Sequence, residues 1–560
     1  MKKFLILILI IFCSCDKSIT LIHDSNKLDS IVDKYIDNGS QALLLVRLED
    51  NDGNSIYQYS NKNNTLVSDH EINEKTWFRI WSMSKIVTIS LTMDLVEDGI
   101  LKLDDPVTKY IPEFSNLKVA LSKEGKPLTI YGEGLGVDVL ENDEPCPYQL
   151  VENKSEMTVL QLINHKAGFY YSTTGIDCLD NILDSKNLAA SKNSNELIQK
   201  LSEFPLVDYP GNKHFYGLNT TVLGLVNERA SGESLDNLVK NRITEPMNIK
   251  GLQYNKNSDT KLLPVFSGID SIIRYANDGE LDIMGTYVPG YGIENELFMG
   301  GEGMIGTADG YADFLRMLLN HGQLNGHRFL EESSVKEIYS PHTQLDNDYG
   351  YNGYNLWITS RLYKEKGYGD EGLWTGGGYE GTHFWIDPKR NFVGLIMTQM
   401  FETPKAGHGR DNEIRGEVYI GNRSDKGENY PFTPPYYHGQ AWADIKFTPT
   451  EDGTYTAKDI QRSASIAYYR YVDPNTDTGE DIFDIPTGSP KIIASAYAQN
   501  FAYNKNALQL SASVNLLSIE RDQSGDLNEE TARLVVQSKW ESPMLNFAHL
   551  SASDSVTLPN

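Results

Sequence analysis

The chain has 560 residues, 40% of them hydrophobic and 10% aromatic, a composition that excludes wholesale disorder and leaves room for more than one domain. Its net charge of −27 argues against nucleic acid as the main partner, because polyanions are held by basic faces.

The chain begins Met1-Lys2-Lys3, runs through the apolar segment Phe4 to Phe12, and reaches Cys13-Ser14-Cys15-Asp16. Nine apolar residues fall short of the roughly 20 needed to span a bilayer, so this segment reads as a secretion signal. It resembles the lipobox of bacterial lipoproteins, with Phe12 where leucine is usual. That resemblance implies lipidation at Cys15, contact with membrane only through that anchor, and placement in the periplasm or at the cell surface. An ordinary signal cleaved further on is the alternative. Cys146 and Cys178 then remain; an exported compartment lets them pair, or they stay as free thiols.

Ala42 to Leu48 and Ser55 to Tyr59 flank Asp50-Asn-Asp-Gly53 and predict a β-hairpin. Next comes Thr76-Trp-Phe-Arg-Ile-Trp-Ser-Met-Ser-Lys85, which places the Ser82 hydroxyl three residues before the Lys85 amine. Ile86, Ile89, Met93 and Val96 follow at helical spacing, and Asp98-Gly99 supplies a stop. On one helix face the amine reaches the hydroxyl, and the free N–H groups of the first turn favour developing negative charge. Ser82 thereby becomes a candidate nucleophile. Spacing alone is weak evidence, since Ser115/Lys118, Ser258/Lys261 and Ser333/Lys336 share it.

Helices are predicted at Thr158 to Ile163, Asn195 to Leu201, Thr221 to Ala230 and Tyr311 to Leu319. Strands are predicted at Tyr354 to Thr359, Thr382 to Ile386 and Phe392 to Met397. Strands at both ends with helices between predict one sheet of sequence-distant strands with an inserted helical subdomain. A Gly-, Pro- and charge-rich stretch from 404 to 440 reads as a linker between a catalytic domain at 16–403 and a domain at 441–560. Beyond it, Ser463 to Val472, Lys491 to Tyr497, Leu508 to Val514 and Arg533 to Gln537 alternate as strands. They predict a small β-rich sandwich or barrel of unread role.

Pro210-Gly-Asn-Lys-His-Phe-Tyr216 opens a helix with a tyrosine whose phenol could relay a proton beside Ser82 and Lys85. Here the chain resembles the serine β-lactamase and penicillin-binding-protein superfamily, nearest its class C β-lactamase-like branch with the family VIII carboxylesterases. Ser82-Met-Ser-Lys85 matches the first motif, and Phe78-Arg-Ile precedes it as in that family. Asp98 to Val107, Leu162-Ile-Asn-His-Lys-Ala-Gly168 and Met299-Gly-Gly-Glu-Gly-Met-Ile-Gly-Thr-Ala308 match further segments. In the second motif Tyr216 matches the tyrosine, Leu218 stands at the usual asparagine and Asn219 lies one later.

The resemblance covers roughly residues 28–400 and implies an α+β, β-lactamase-like fold: an antiparallel sheet with helices and an inserted helical subdomain, here followed by the β-rich domain. It also implies an acyl-enzyme on Ser82, general acid-base work by Lys85 and Tyr216, and no metal or organic cofactor. The third motif, usually Lys-Thr-Gly, falls in Trp374-Thr-Gly-Gly-Gly-Tyr-Glu-Gly381 without a lysine. One N–H of Gly377, Gly378 or Tyr379, with that of Ser82, would form the oxyanion hole. Without the lysine that usually meets a substrate carboxylate, an esterase is favoured over a β-lactamase or D,D-peptidase. A catalytically idle surface-binding lipoprotein is the reading from another class.

Overall fold

The computed structural model describes residues 25–128, 148–268, 272–277, 279–280, 284–285, 288–345, 349–401, 409–420, 437–449, 455–468, 492–501, 507–519, 530–540, 549–552 and 555–556. The signal segment, Cys15 and Cys146 lie outside the described residues. Cys178 is disulfide-bonded, and its partner also lies outside them.

The elements that position the site are, in chain order, α1 (Ser25–Asp37), β1 (Leu43–Asp50), β2 (Ser55–Lys62), β3 (Phe78–Arg79), α2 (Ser84–Glu97), α3 (Val159–Ile163), α4 (Asn219–Ser231), β4 (Ile305–Gly306) and α5 (Ala308–Leu319). There follow β5 (Thr343–Gln344), β6 (Tyr349–Asn352), β7 (Trp357–Thr359), β8 (Trp374–Gly377), β9 (His383–Asp387), β10 (Phe392–Met397) and α6 (Gly409–Ile420).

The main sheet runs β5-β6-β7-β8-β9-β10-β1-β2, antiparallel throughout. The N-terminal hairpin thus joins strands from far along the chain, with Leu45 opposite Met397 and Leu48 opposite Gly394. Successive residues of β1 serve opposite faces, as the period of two requires. Leu44, Val46 and Leu48 pack with Leu28 and Val32 of α1 and with Ile414 and Val418 of α6. Leu43 and Leu45 belong to the larger core on the other face, with α2, α4 and α5.

Two expectations differ from this structure. The stretch read as a linker from 404 contains α6, whose Ile414, Val418 and Tyr419 are buried, the two aliphatic side chains each contributing about 1.5–3 kcal/mol of apolar burial. Tyr35 of α1 donates to Glu413 Oε2 at 2.6 Å, so the chain is still packed on the sheet at α6. The strand expected from Tyr354 begins at Trp357, because Asn355 takes a left-handed conformation at φ 57° and breaks the extended run.

Seven strands follow: β11 (Tyr437–Pro449), β12 (Tyr455–Tyr468), β13 (Ile492–Phe501), β14 (Ala507–Ile519), β15 (Glu530–Trp540), β16 (His549–Ala552) and β17 (Ser555–Val556). They form one antiparallel sheet in the order β16-β13-β14-β15-β11-β12-β17. The strand at Tyr437 begins inside the expected linker.

Candidate active site

A 3-10 turn at Trp81–Met83 leads into α2, where Met83 N–H donates to Ile80 O at 2.9 Å. The turn is pinned from α5 by Tyr311, whose hydroxyl donates to Met83 O at 2.9 Å. Trp81, immediately before the serine, has φ 43°, a strained conformation for a bulky residue. Burial and an edge contact with Tyr379 at 5.4 Å between ring centroids hold it there.

Ser82 is half-buried, whereas Lys85 is fully enclosed. Lys85 Nζ donates to Ser82 Oγ at 3.1 Å, Tyr171 Oη at 2.8 Å and Gly301 O at 2.9 Å, and it lies 3.3 Å from Glu302 Oε1. Gly301 permits this closeness. A Cβ there would stand 2.8 Å from Thr221 Oγ1 and 3.3 Å from Lys85 Nζ.

Tyr171 was not anticipated. Its hydroxyl receives Lys85 and donates to Glu302 Oε1. Burial, reinforced by the Glu302 charge, holds its phenol well above the usual tyrosine range, so it stays protonated and acts as a fixed donor. Glu302, fully buried, also accepts from Thr221 Oγ1. Among the described residues, the tyrosine hydroxyl bonded to Lys85 is therefore Tyr171's.

Tyr216 flanks the same amine with its ring, whose centroid is 5.0 Å from Lys85 Nζ. Among the described residues its hydroxyl has no hydrogen-bond partner. Its plane is set by stacking on His165, 5.0 Å between centroids at 7°, and by Trp357 at 5.6 Å. His165 is itself left-handed at φ 54°. Burial, then the neighbouring His214 and Lys85 charges, keep its imidazole well below the usual histidine range. Tyr216 thus rests on a neutral ring.

Asn219 is also fully buried. Its side chain donates to Phe169 O at 3.0 Å and Phe215 O at 3.1 Å and accepts from Ala167 N at 3.3 Å. Its hydrogen bonds tie two loops together, with no group left toward a substrate.

The glycine run lies against the turn that carries Ser82: a Cβ on Gly378 would stand 2.5 Å from Ile80 O. Gly378 N–H donates to Thr382 O at 2.8 Å, so it is committed to the β8–β9 hairpin. N–H directions alternate along an antiparallel strand. Gly377, paired with His383 outside that bond, therefore points its N–H away from β9. Gly378 therefore has its donor taken.

Behind the turn, Glu380 is completely buried. It accepts from Gln399 Nε2, and burial pushes its carboxyl up to about 7 against the pull of Arg79. No lysine or arginine occurs in β8, which reads Trp-Thr-Gly-Gly.

This arrangement can move a proton from a half-buried hydroxyl to an enclosed amine, with backbone donors beside it. The family model described as Beta-lactamase matches residues 48–417. The chain is 28% identical over 254 residues to esterase EstB of Burkholderia gladioli, covering 44% of this chain and 57% of that one. It is 24% identical over 402 residues to lovastatin esterase of Penicillium rubens, covering 66% and 92%. Among solved structures, EstCE1, a hydrolase with promiscuous acyltransferase activity, is similar with a TM-score of 0.56 and 18% identity, covering 70% of this chain and 98% of that one.

Proposed function

Because the chain belongs to the beta-lactamase family, and its relatives make it an enzyme of the serine hydrolase kind, we propose that it hydrolyses carboxylic esters through an acyl-enzyme on Ser82. The observation that carries this reading is the 3.1 Å contact between Lys85 Nζ and Ser82 Oγ.

In the proposed reaction Lys85, as the free amine, takes the Ser82 proton while Oγ bonds to the substrate carbonyl carbon. The oxyanion that forms is met by the N–H groups of Ser82 and Gly377. When the intermediate collapses, the ester C–O bond breaks and the leaving oxygen receives a proton from the Lys85 ammonium. Tyr216, whose ring lies beside Lys85, supplies an unengaged hydroxyl for that transfer, while Tyr171 stays bonded to Glu302. Water then attacks the acyl carbon and gives a proton to Lys85; the Oγ–C bond breaks as the Lys85 ammonium returns that proton to Oγ, releasing the acid and restoring Ser82.

A strand without lysine or arginine offers no charge-assisted bond to a substrate carboxylate, and Tyr216 and Trp357 supply aromatic walls. Both features favour neutral esters over penicillins or peptide C-termini. Export and lipid anchoring at Cys15 complete the proposal.

The test is turnover of p-nitrophenyl esters, a chromogenic cephalosporin and a D-amino-acid peptide by the wild type and Ser82→Ala. Ester turnover that Ser82→Ala abolishes supports the reading; cephalosporin as the preferred substrate would replace it with a β-lactamase. Adding a primary alcohol separates hydrolysis from transfer, since both resolve the same acyl-enzyme.

A further inference from the structure

Glu302 stands in the Gly-rich turn before β4, with Lys85 as its ionic neighbour and no exposure on either side chain. Its carboxyl group accepts from Tyr171 and Thr221 and faces Lys85 at 3.3 Å. Three donors converge on two oxygens, the arrangement that suits an ionised carboxylate. Around Lys85 stand four acceptors, Ser82 Oγ, Tyr171 Oη, Gly301 O and, at 3.3 Å, Glu302 Oε1, enough to engage every hydrogen of an ammonium. Buried charges of this kind are tolerated when paired.

The other titratable groups facing the pair come from every element around it. Tyr171 and His165 approach from the segment after α3, and Tyr216 from the turn before α4. Tyr254 and Tyr291 feel the Glu302 charge from beyond. Burial holds His165 neutral and keeps Tyr171, Tyr254 and Tyr291 protonated. Among the described residues Glu302 is thus the one carboxylate in contact with Lys85.

We infer that Glu302 is the counter-charge of Lys85, a positioning residue that holds the ammonium under Ser82 and whose negative charge opposes release of its proton. The inference rests on the reading of Ser82 as nucleophile and Lys85 as its base. Lys85 first releases a proton to solvent and then takes the Ser82 proton as the Oγ–C bond forms. The ammonium so regenerated is again paired with Glu302 until it protonates the leaving oxygen.

The experiment is the pH dependence of kcat/KM for a p-nitrophenyl ester, and of fluorophosphonate labelling, in wild type, Glu302→Gln and Glu302→Asp. Glutamine keeps the shape, accepts from Lys85 and Tyr171, donates to Thr221 and removes the charge. The expected result is an acid limb displaced at least about one pH unit downward in Glu302→Gln. Glu302→Asp, which keeps the charge, is expected to retain the wild-type limb on a lower plateau. A limb that stays in place or moves upward in Glu302→Gln overturns the inference. So does loss of labelling at every pH in a folded Glu302→Gln. Should that variant fail to fold, Glu302→Met carries the same expectation and the same contradiction. Labelling absent from the wild type, or retained in Ser82→Ala, marks failure of the underlying nucleophile assignment instead.

Discussion

Lys85 Nζ stands 2.8 Å from Tyr171 Oη and 5.0 Å from the Tyr216 ring centroid. Two tyrosines therefore serve one amine in different ways. Tyr171 links it to Glu302 by hydrogen bonds, whereas Tyr216 covers it with a π-face and keeps its hydroxyl unengaged.

The two phenols should separate by leaving group. Tyr216→Phe is expected to lower kcat on alkyl esters by roughly 10²-fold and on p-nitrophenyl esters much less, because p-nitrophenolate departs without a proton. Parallel kcat measurements on the two substrate types check this; equal losses on both would remove Tyr216 from the acid step.

Tyr171→Phe leaves Lys85 and Glu302 each short of a buried partner. It is expected to cost about 1–3 kcal/mol of stability and to lower kcat on both ester types alike. Thermal unfolding together with the same assays measures both effects, and an unaltered melting temperature would contradict the buried network.

Glu380 predicts a pH-dependent stability. Its folded-state carboxyl is raised to about 7 from 4.5 by burial, so the native state binds the proton more tightly than the unfolded chain. Stability therefore falls as pH rises from about 4.5 through about 7. Glu380→Gln stays neutral and should gain over the wild type across that window, by roughly 3 kcal/mol at most above it. Melting curves from pH 4.5 to 8 test this; a constant difference between the two proteins would refute it.

Gly378→Ala should damage the hairpin, because a Cβ would stand 2.5 Å from Ile80 O, a backbone atom of the nucleophile turn. A loss of about 1–3 kcal/mol with reduced kcat is expected. Wild-type kinetics in this variant would mean that the turn and Ser82 are not coupled.

Ser82, Lys85 and the helix behind them were legible because a periodic apolar run and a capping glycine announce α2. Part of the main sheet was legible for the same reason, as β1, β9 and β10 alternate or run continuously apolar, whereas the short β5 and β6 carry no such run. Tyr171 and Glu302 were not. One is the second of two adjacent tyrosines in a non-periodic loop, and the other sits in a glycine run that reads as a turn. Their meaning arises only when the loop after α3 and the turn before β4 converge on Lys85. Helix α6 was hidden by Gly409, Gly416 and its charges, and it shows itself only through Ile414 and Val418 packing beside α1. The N–H direction that separates Gly377 from Gly378 is set by strand register, which a glycine run leaves open.

The central claim is that Ser82 carries the acyl group. Protein quenched during turnover of p-nitrophenyl acetate and digested for mass spectrometry should show one acetyl group on the peptide containing Ser82 and none in Ser82→Ala. An acetyl group on any other residue, or ester turnover that persists in Ser82→Ala, would contradict the account.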